Sequence, residues 1–130
     1  MNKNSAVVLV VEDTLILRMG AVRMVQAAGY ETLEAEDADM AVQILESAKE
    51  IDLVFTDVQM PGTMDGVKLS HYIHGRWPLV KVIVSSGAAI PAESSLPEGC
   101  RFFAKPYRYR MVVDEMARML STDSQLPHGS

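Results

Sequence analysis

Apolar positions along the chain form two kinds of run. Ala6 to Val11 (AVVLVV) is short, unbroken and rich in β-branched residues, as are Val80 to Val84 apart from Lys81 and Asp52 to Thr56 after its leading acid. Runs of that length and composition suit strands buried on both faces of a sheet. Tyr30 to Ala35 alternates in polarity, which predicts a strand nearer an edge, and Arg101 to Ala104 reads as a last short strand. Between them the apolar residues recur at helical spacing. Leu15, Met19, Val22 and Val25, with Ile16 and Met24, predict a helix from a Thr14 cap to about Ala28, ended by Gly29. Ala38 to Ala48 follows a capping Asp37 and turns Ala41, Ile44, Leu45 and Ala48 inward. Val67 to Arg76 and Arg108 to Leu120 predict two more helices, the last with Val112, Val113, Met116 and Leu120 on one face. Ala88 to Gly99 is irregular, since Pro91 and Pro97 bracket too few residues for more than a short helix or turns.

Strand alternating with helix predicts βαβ units with right-handed crossovers, hence an α/β domain with a parallel sheet covered on both faces. The 130 residues amount to one domain, expected over residues 1–121, with residues 122–130 as a flexible polar tail. The net charge of -5 and the lack of a basic stripe argue against nucleic acid as a partner. No apolar run approaches the roughly 18 residues that would suggest a membrane span, and no signal core follows Met1 to Ser5. With Cys100 the one cysteine, a reduced, cytoplasmic setting is expected.

The candidate chemistry lies where the strands end, which in an open parallel sheet is where ligands bind. Glu12-Asp13 closes the first strand, Asp57 the third, Ser85-Ser86-Gly87 the fourth, and Phe102-Phe103-Ala104 delivers Lys105-Pro106. Three carboxylates brought together repel one another unless a cation intervenes, and all-oxygen ligands favour Mg²⁺ over zinc. Asp57 then suits a nucleophile toward phosphorus, because a carboxylate needs no general base. Lys105, the Ser86 hydroxyl and a backbone N–H beyond Asp57 would answer the charge on a transferring phosphoryl group.

These residues, with Met60-Pro61 and Asp65-Gly66, resemble the receiver domain of two-component response regulators over Ala6 to about Leu120. The resemblance implies a flavodoxin-like (βα)₅ fold, a three-layer sandwich with strand order 2-1-3-4-5. It implies a phosphorylation-dependent switch, with Asp57 phosphorylated by a histidine kinase or histidine phosphotransfer protein. It implies Mg²⁺ held by Glu12, Asp13, Asp57 and the main-chain carbonyl of Gln59. Ser86 would turn toward the phosphoryl group and Phe102, three residues before Lys105, would move inward as the switch aromatic. The chain departs from the family in a longer loop after Asp57 and in the proline-bracketed stretch where a fourth helix is usual.

The expected role is that of a signalling module acting on an unknown protein output partner, with phosphorylation-dependent dimerisation possible for such modules, and not that of an enzyme. A receiver cut from a larger hybrid kinase or output regulator, or a non-phosphorylated pseudo-receiver serving as an interaction domain, are the alternatives. A phosphatase of the haloacid dehalogenase kind would need a second Asp where Gln59 stands. His71 and His74 read as exposed surface and Cys100 as a small buried hydrophobe; Met24, Met40 and Met116 read as packing, and Met111 and Met119 as candidates for partner contact.

Overall fold

The computed structural model describes residues 6–47, 50–62, 64–87, 91 and 95–125, of which 122–125 by backbone alone. Five strands form one parallel sheet: β1 (Val7–Val11), β2 (Glu31–Ala35), β3 (Leu53–Asp57), β4 (Lys81–Ser86) and β5 (Arg101–Ala104). Their order is β2-β1-β3-β4-β5, the flavodoxin-like arrangement that the resemblance implied. The register brings Leu9 beside Leu33 and Val54, and Asp57 beside Ser85, so the C-terminal ends of the three central strands are level.

Alternation along each strand sends side chains to two separate cores. Leu9, Val11, Val54, Val82 and Val84 pack with Ala41 and Leu45 of α2 (Ala38–Glu46) and with Leu69 and Ile73 of α3 (Gly66–Arg76). Val8, Val10, Leu53, Phe55 and Ile83 pack on the other face with Met24 and Val25 of α1 (Leu15–Ala27) and with Val112 and Met116 of α4 (Tyr109–Gln125). Leu9, Leu53, Ile83 and Met116 have no solvent exposure, and each such side chain contributes about 1.5–3 kcal/mol. At the opposite end from the acids, the Asp52 carboxylate accepts from the Val7 N–H at 2.8 Å and ties β1 to the start of β3.

Capping matches the expectation for α2, where the Asp37 side chain accepts from Met40 N–H at 2.8 Å. Asp65 caps α3 in the same way through Lys68 N–H at 2.9 Å. Gly29, at a φ of 97°, ends α1 in a conformation that a Cβ would strain. Thr14 occupies the N-cap of α1, yet its side chain makes no capping hydrogen bond.

Several expectations are corrected. The first turn of α1 overhangs the sheet end, so Leu15, Ile16 and Met19 are exposed, Ile16 by 73%, while Ala21, Met24 and Val25 are buried. β4 runs through both serines to Ser86 instead of stopping at Val84, because Asp57 extends β3 and keeps the ladder paired to that level. No α-helix lies between β4 and β5 among the described residues, consistent with Pro91 and Pro97, though 88–90 and 92–94 lie outside them. The last helix passes its expected end at Leu120 and reaches Gln125, into the expected tail; residues 126–130 of that tail, like Ala48 of the second helix, lie outside the described residues. Met119 is buried and Met40 exposed, the reverse of their expected roles, whereas Met111 is exposed as expected. Among the described residues no helix is long and apolar enough to cross a membrane.

Candidate functional site

The C-terminal edge of the sheet gathers the charged residues because backbone hydrogen bonds continue beyond the strands. Glu12 N–H still donates to Ala35 O at 3.1 Å, and Val58 N–H to Ser85 O at 2.8 Å. The chain then returns at once: Gly66 N–H donates to Val58 O at 2.7 Å, bringing the start of α3 against the end of β3. A Cβ at Gly66 would fall 2.1 Å from the carbonyl oxygen of Asp57, so the approach admits no side chain. On the far side Lys105 N–H donates to Ser86 O at 2.9 Å, which carries the Lys105 side chain over the strand ends. The Lys105-Pro106 peptide is cis.

Lys105 Nζ lies 3.1 Å from Asp57 Oδ1 and 3.4 Å from Glu12 Oε1. The ammonium thus joins two acids that are 45 residues apart in sequence and stand at the ends of adjacent strands. Glu12 Oε2 accepts from Thr14 N–H at 3.1 Å, which holds the carboxylate at the start of α1. One carboxylate oxygen each from Glu12, Asp13 and Asp57 come within 4.8 Å of one another. Glu12 and Asp57 are buried and Asp13 is exposed. Burial raises the Glu12 pKa above the usual carboxylate range, and the Asp57 charge adds to that; the Thr14 N–H and Lys105 act against it. The same field reaches Tyr107, whose phenol is pushed up to about 12, first by burial, then by Tyr109, Glu12 and Asp57.

This donor set fits a hard divalent cation. Ligands of a Mg²⁺ octahedron stand about 3–4 Å apart, within the 4.8 Å that bounds the three oxygens, and a buried carboxylate with a raised pKa gains from a nearby positive charge. Gln59 is exposed and shares a shallow depression with Asp13, Val58, Met60, Pro61 and Asp65, so its main chain runs along the same rim.

The two serines lie on opposite faces of β4. Ser85 pairs with Asp57 across the ladder and lines, with Glu12, Asp57, Gly87 and Lys105, a cavity of about 710 Å³. Ser86 is buried one position further along β4, and by alternation it shares the face of Val82 and Val84. Phe102, opposite Val84 in the ladder, is half-buried against that same core. It also lines a second cavity of about 580 Å³ with Leu96, Pro97 and Cys100. Cys100 is half-buried, and burial pushes its thiol up to about 11. His71 and His74 are both exposed, and the His71 ring lies 2.7 Å from Ser95 O through Nε2. Among the described residues, the group whose ligand atoms converge is the acidic trio.

One participant had no counterpart in the sequence reading. Arg18 on α1 donates from Nη1 to the Glu12 carbonyl at 2.8 Å and from Nε to Glu34 Oε1 of β2 at 3.0 Å.

The fold and this cluster define a class, and the comparisons agree with it. The family model for the response regulator receiver domain matches residues 8–109. The chain belongs to that family and is a receiver domain, a signalling module of two-component and phosphorelay systems. It is 38% identical over 120 residues to the sensor kinase CckA of Brucella abortus (strain 2308), a match that takes in 89% of this chain and 13% of the kinase. The crystal structure of the receiver domain from hybrid histidine kinase CckA superposes with a TM-score of 0.74 at 34% identity, covering 88% of this chain and 99% of that one. The response regulator receiver protein CpdR of the same Brucella strain is 28% identical over 87% of this chain and 95% of its own length. Response regulator TrrA from Thermotoga maritima, crystallised in complex with Mg²⁺-BeF, shares the fold with a TM-score of 0.76 at 23% identity, covering 88% of this chain and 98% of that one.

Proposed function

We propose that Asp57 accepts a phosphoryl group from a histidine kinase or histidine phosphotransfer protein, with Mg²⁺ held by Glu12, Asp13, Asp57 and the main-chain carbonyl of Gln59. The observation that carries this is the ammonium of Lys105 set between Asp57 and Glu12, 3.1 and 3.4 Å away, beside a trio of converging carboxylates. In the transfer an Asp57 carboxylate oxygen forms the new bond to phosphorus as the bond to the donor imidazole nitrogen breaks, and the imidazole leaves with that electron pair. Bound Mg²⁺ neutralises charge on the phosphoryl oxygens. Lys105 pairs with another of those oxygens, exchanging part of its contact with Asp57 for the added negative charge. Ser86 supplies a hydroxyl from the end of β4, and Phe102 follows it inward from the neighbouring strand. The Mg²⁺-BeF complex of TrrA supports the cation by analogy of fold.

Two settings are open to the module. The similarity to CckA favours a receiver that works within a kinase, and the nearly full-length match to CpdR favours one that works alone. In either, the module acts in the cytoplasm as a switch on a protein partner, and not as an enzyme with turnover. Incubation with Mg²⁺ and acetyl phosphate should add one acid-stable, alkali-labile phosphoryl group by intact mass, and Asp57→Asn should add none. Labelling that persists in that variant would refute the assignment. Ser86→Ala should keep the labelling while reducing the chemical-shift difference between the two states.

A further inference from the structure

The first turn of α1 inverts the ordinary pattern of burial. Its apolar residues Leu15, Ile16 and Leu17 are exposed, whereas the charged Arg18 that follows them has only 15% of its side chain exposed. Burying a guanidinium in place of three aliphatic side chains costs desolvation, and that cost is offset only by well-formed hydrogen bonds. Arg18 makes two, and they run to different strands: Nη1 to the main-chain carbonyl of Glu12, and Nε to Glu34 Oε1.

The carbonyl it binds is an informative one. The peptide plane that contains Glu12 O also contains the N–H and the Cα of Asp13, so holding that oxygen places the Asp13 Cα from which the carboxylate projects. Glu12 itself is held at its N–H by Ala35 O and at its carboxylate by Thr14 N–H and Lys105. Asp13 is exposed, and the orientation of the Glu12-Asp13 peptide therefore rests on Arg18 more than on packing. Glu34, on the neighbouring strand, holds the guanidinium from behind. The positive charge of Arg18 also lies next to the peptide that joins two acids, where it reduces their mutual repulsion before any cation arrives.

We infer that Arg18 is a positioning residue for the metal site: its guanidinium, anchored on Glu34, sets the Glu12-Asp13 turn in the orientation that ligates the cation. This rests on the metal reading given above. Groups that orient metal ligands commonly change affinity by about 10–100-fold when removed. A lysine can reach one of the two acceptors but cannot span both with a planar fork, so it should restore the function only in part.

The test is a MgCl₂ titration of the full chain followed by amide chemical shifts, with metal-free stability measured in parallel by urea. Arg18→Ala should raise the Mg²⁺ dissociation constant at least tenfold, with Arg18→Lys between it and the wild type. Glu34→Ala should weaken binding less, and the double variant should be no worse than Arg18→Ala alone, because the anchor acts only through the arginine. In metal-free protein, amide exchange should speed up at Asp13 and Thr14 and stay unchanged in α3. A dissociation constant within twofold of wild type in both Arg18 variants, with stability alone reduced, would overturn the inference and leave the metal site standing. Equal Mg²⁺ binding by wild type and Asp13→Asn would overturn the metal reading and this inference together.

Discussion

Two glycines of α3 offer a matched test of how the site is built. At Gly66 a Cβ would stand 2.1 Å from the Asp57 carbonyl oxygen and 2.8 Å from Val58 Cα, whereas at Gly75 it would meet nothing within 4 Å. Neither residue is in the left-handed region, so space alone separates them. A carbon–oxygen contact needs about 3.3 Å, and Gly66→Ala must therefore push the start of α3 back by roughly 1 Å. That shift strains the 2.7 Å bond from Gly66 N–H to Val58 O and loosens Leu69 and Ile73 in the core. Overpacking of this kind costs about 1–3 kcal/mol and the weakened hydrogen bond about 1 kcal/mol, against a helix-propensity gain of about 1 kcal/mol. Gly66→Ala should thus lose about 2 kcal/mol, and Gly75→Ala should gain up to about 1 kcal/mol. Urea unfolding reads both through the midpoint, provided the slope is unchanged. Under conditions where the variant is fully folded, Gly66→Ala should also slow labelling by acetyl phosphate more than tenfold, since the displaced turn of α3 is the one packed on the Asp57 backbone. Shifts of the same sign for the two variants would refute the reasoning.

Other outcomes follow from groups away from the acids. Glu115 bonds Arg118 and pairs with Arg101 of β5 at 3.1 Å, and these hold its carboxyl below the usual range. A depressed acid stabilises the fold above its unfolded pKa of about 4.5 and loses that contribution as pH falls through the depressed value. Glu115→Gln should therefore be less stable than wild type at pH 7, with the gap closing below pH 4.5 in urea melts; a gap independent of pH would contradict the assignment. With its thiol at about 11, Cys100 should react with iodoacetamide at pH 8 at least tenfold more slowly than free cysteine, a rate that mass spectrometry follows directly. Met116→Ala, which empties a site with no solvent exposure beneath α4, should cost about 2–5 kcal/mol in the same urea assay.

The strands were legible because parallel strands buried on both faces leave an unbroken apolar signature, and Val7 to Val11 and Leu53 to Thr56 have it. Their order and the meeting of Glu12, Asp57 and Lys105 were legible through motif spacing and family resemblance, since no local pattern relates residues 93 positions apart. Periodicity failed at Leu15, Ile16 and Met19 for a geometric reason: helical spacing reports which residues share a face, and not whether the sheet extends far enough to cover that face. The adjacent serines were a matter of strand length. Once Asp57 belongs to β3, its partner Ser85 must belong to β4, and the cavity acquires Ser85. The role of Arg18 was not legible, because an arginine on an amphipathic helix ordinarily faces water and no sequence pattern marks the main-chain oxygen of Glu12 as its acceptor.

The overhanging turn of α1 bears on how visitors share this end of the molecule. Ile16 and Leu17 border the same hollow as Asp57 and Lys105. Whatever shelters those aliphatic groups from water also stands in the doorway of the carboxylate, so a guest drawn by grease and a donor drawn by charge must either be one body or take turns.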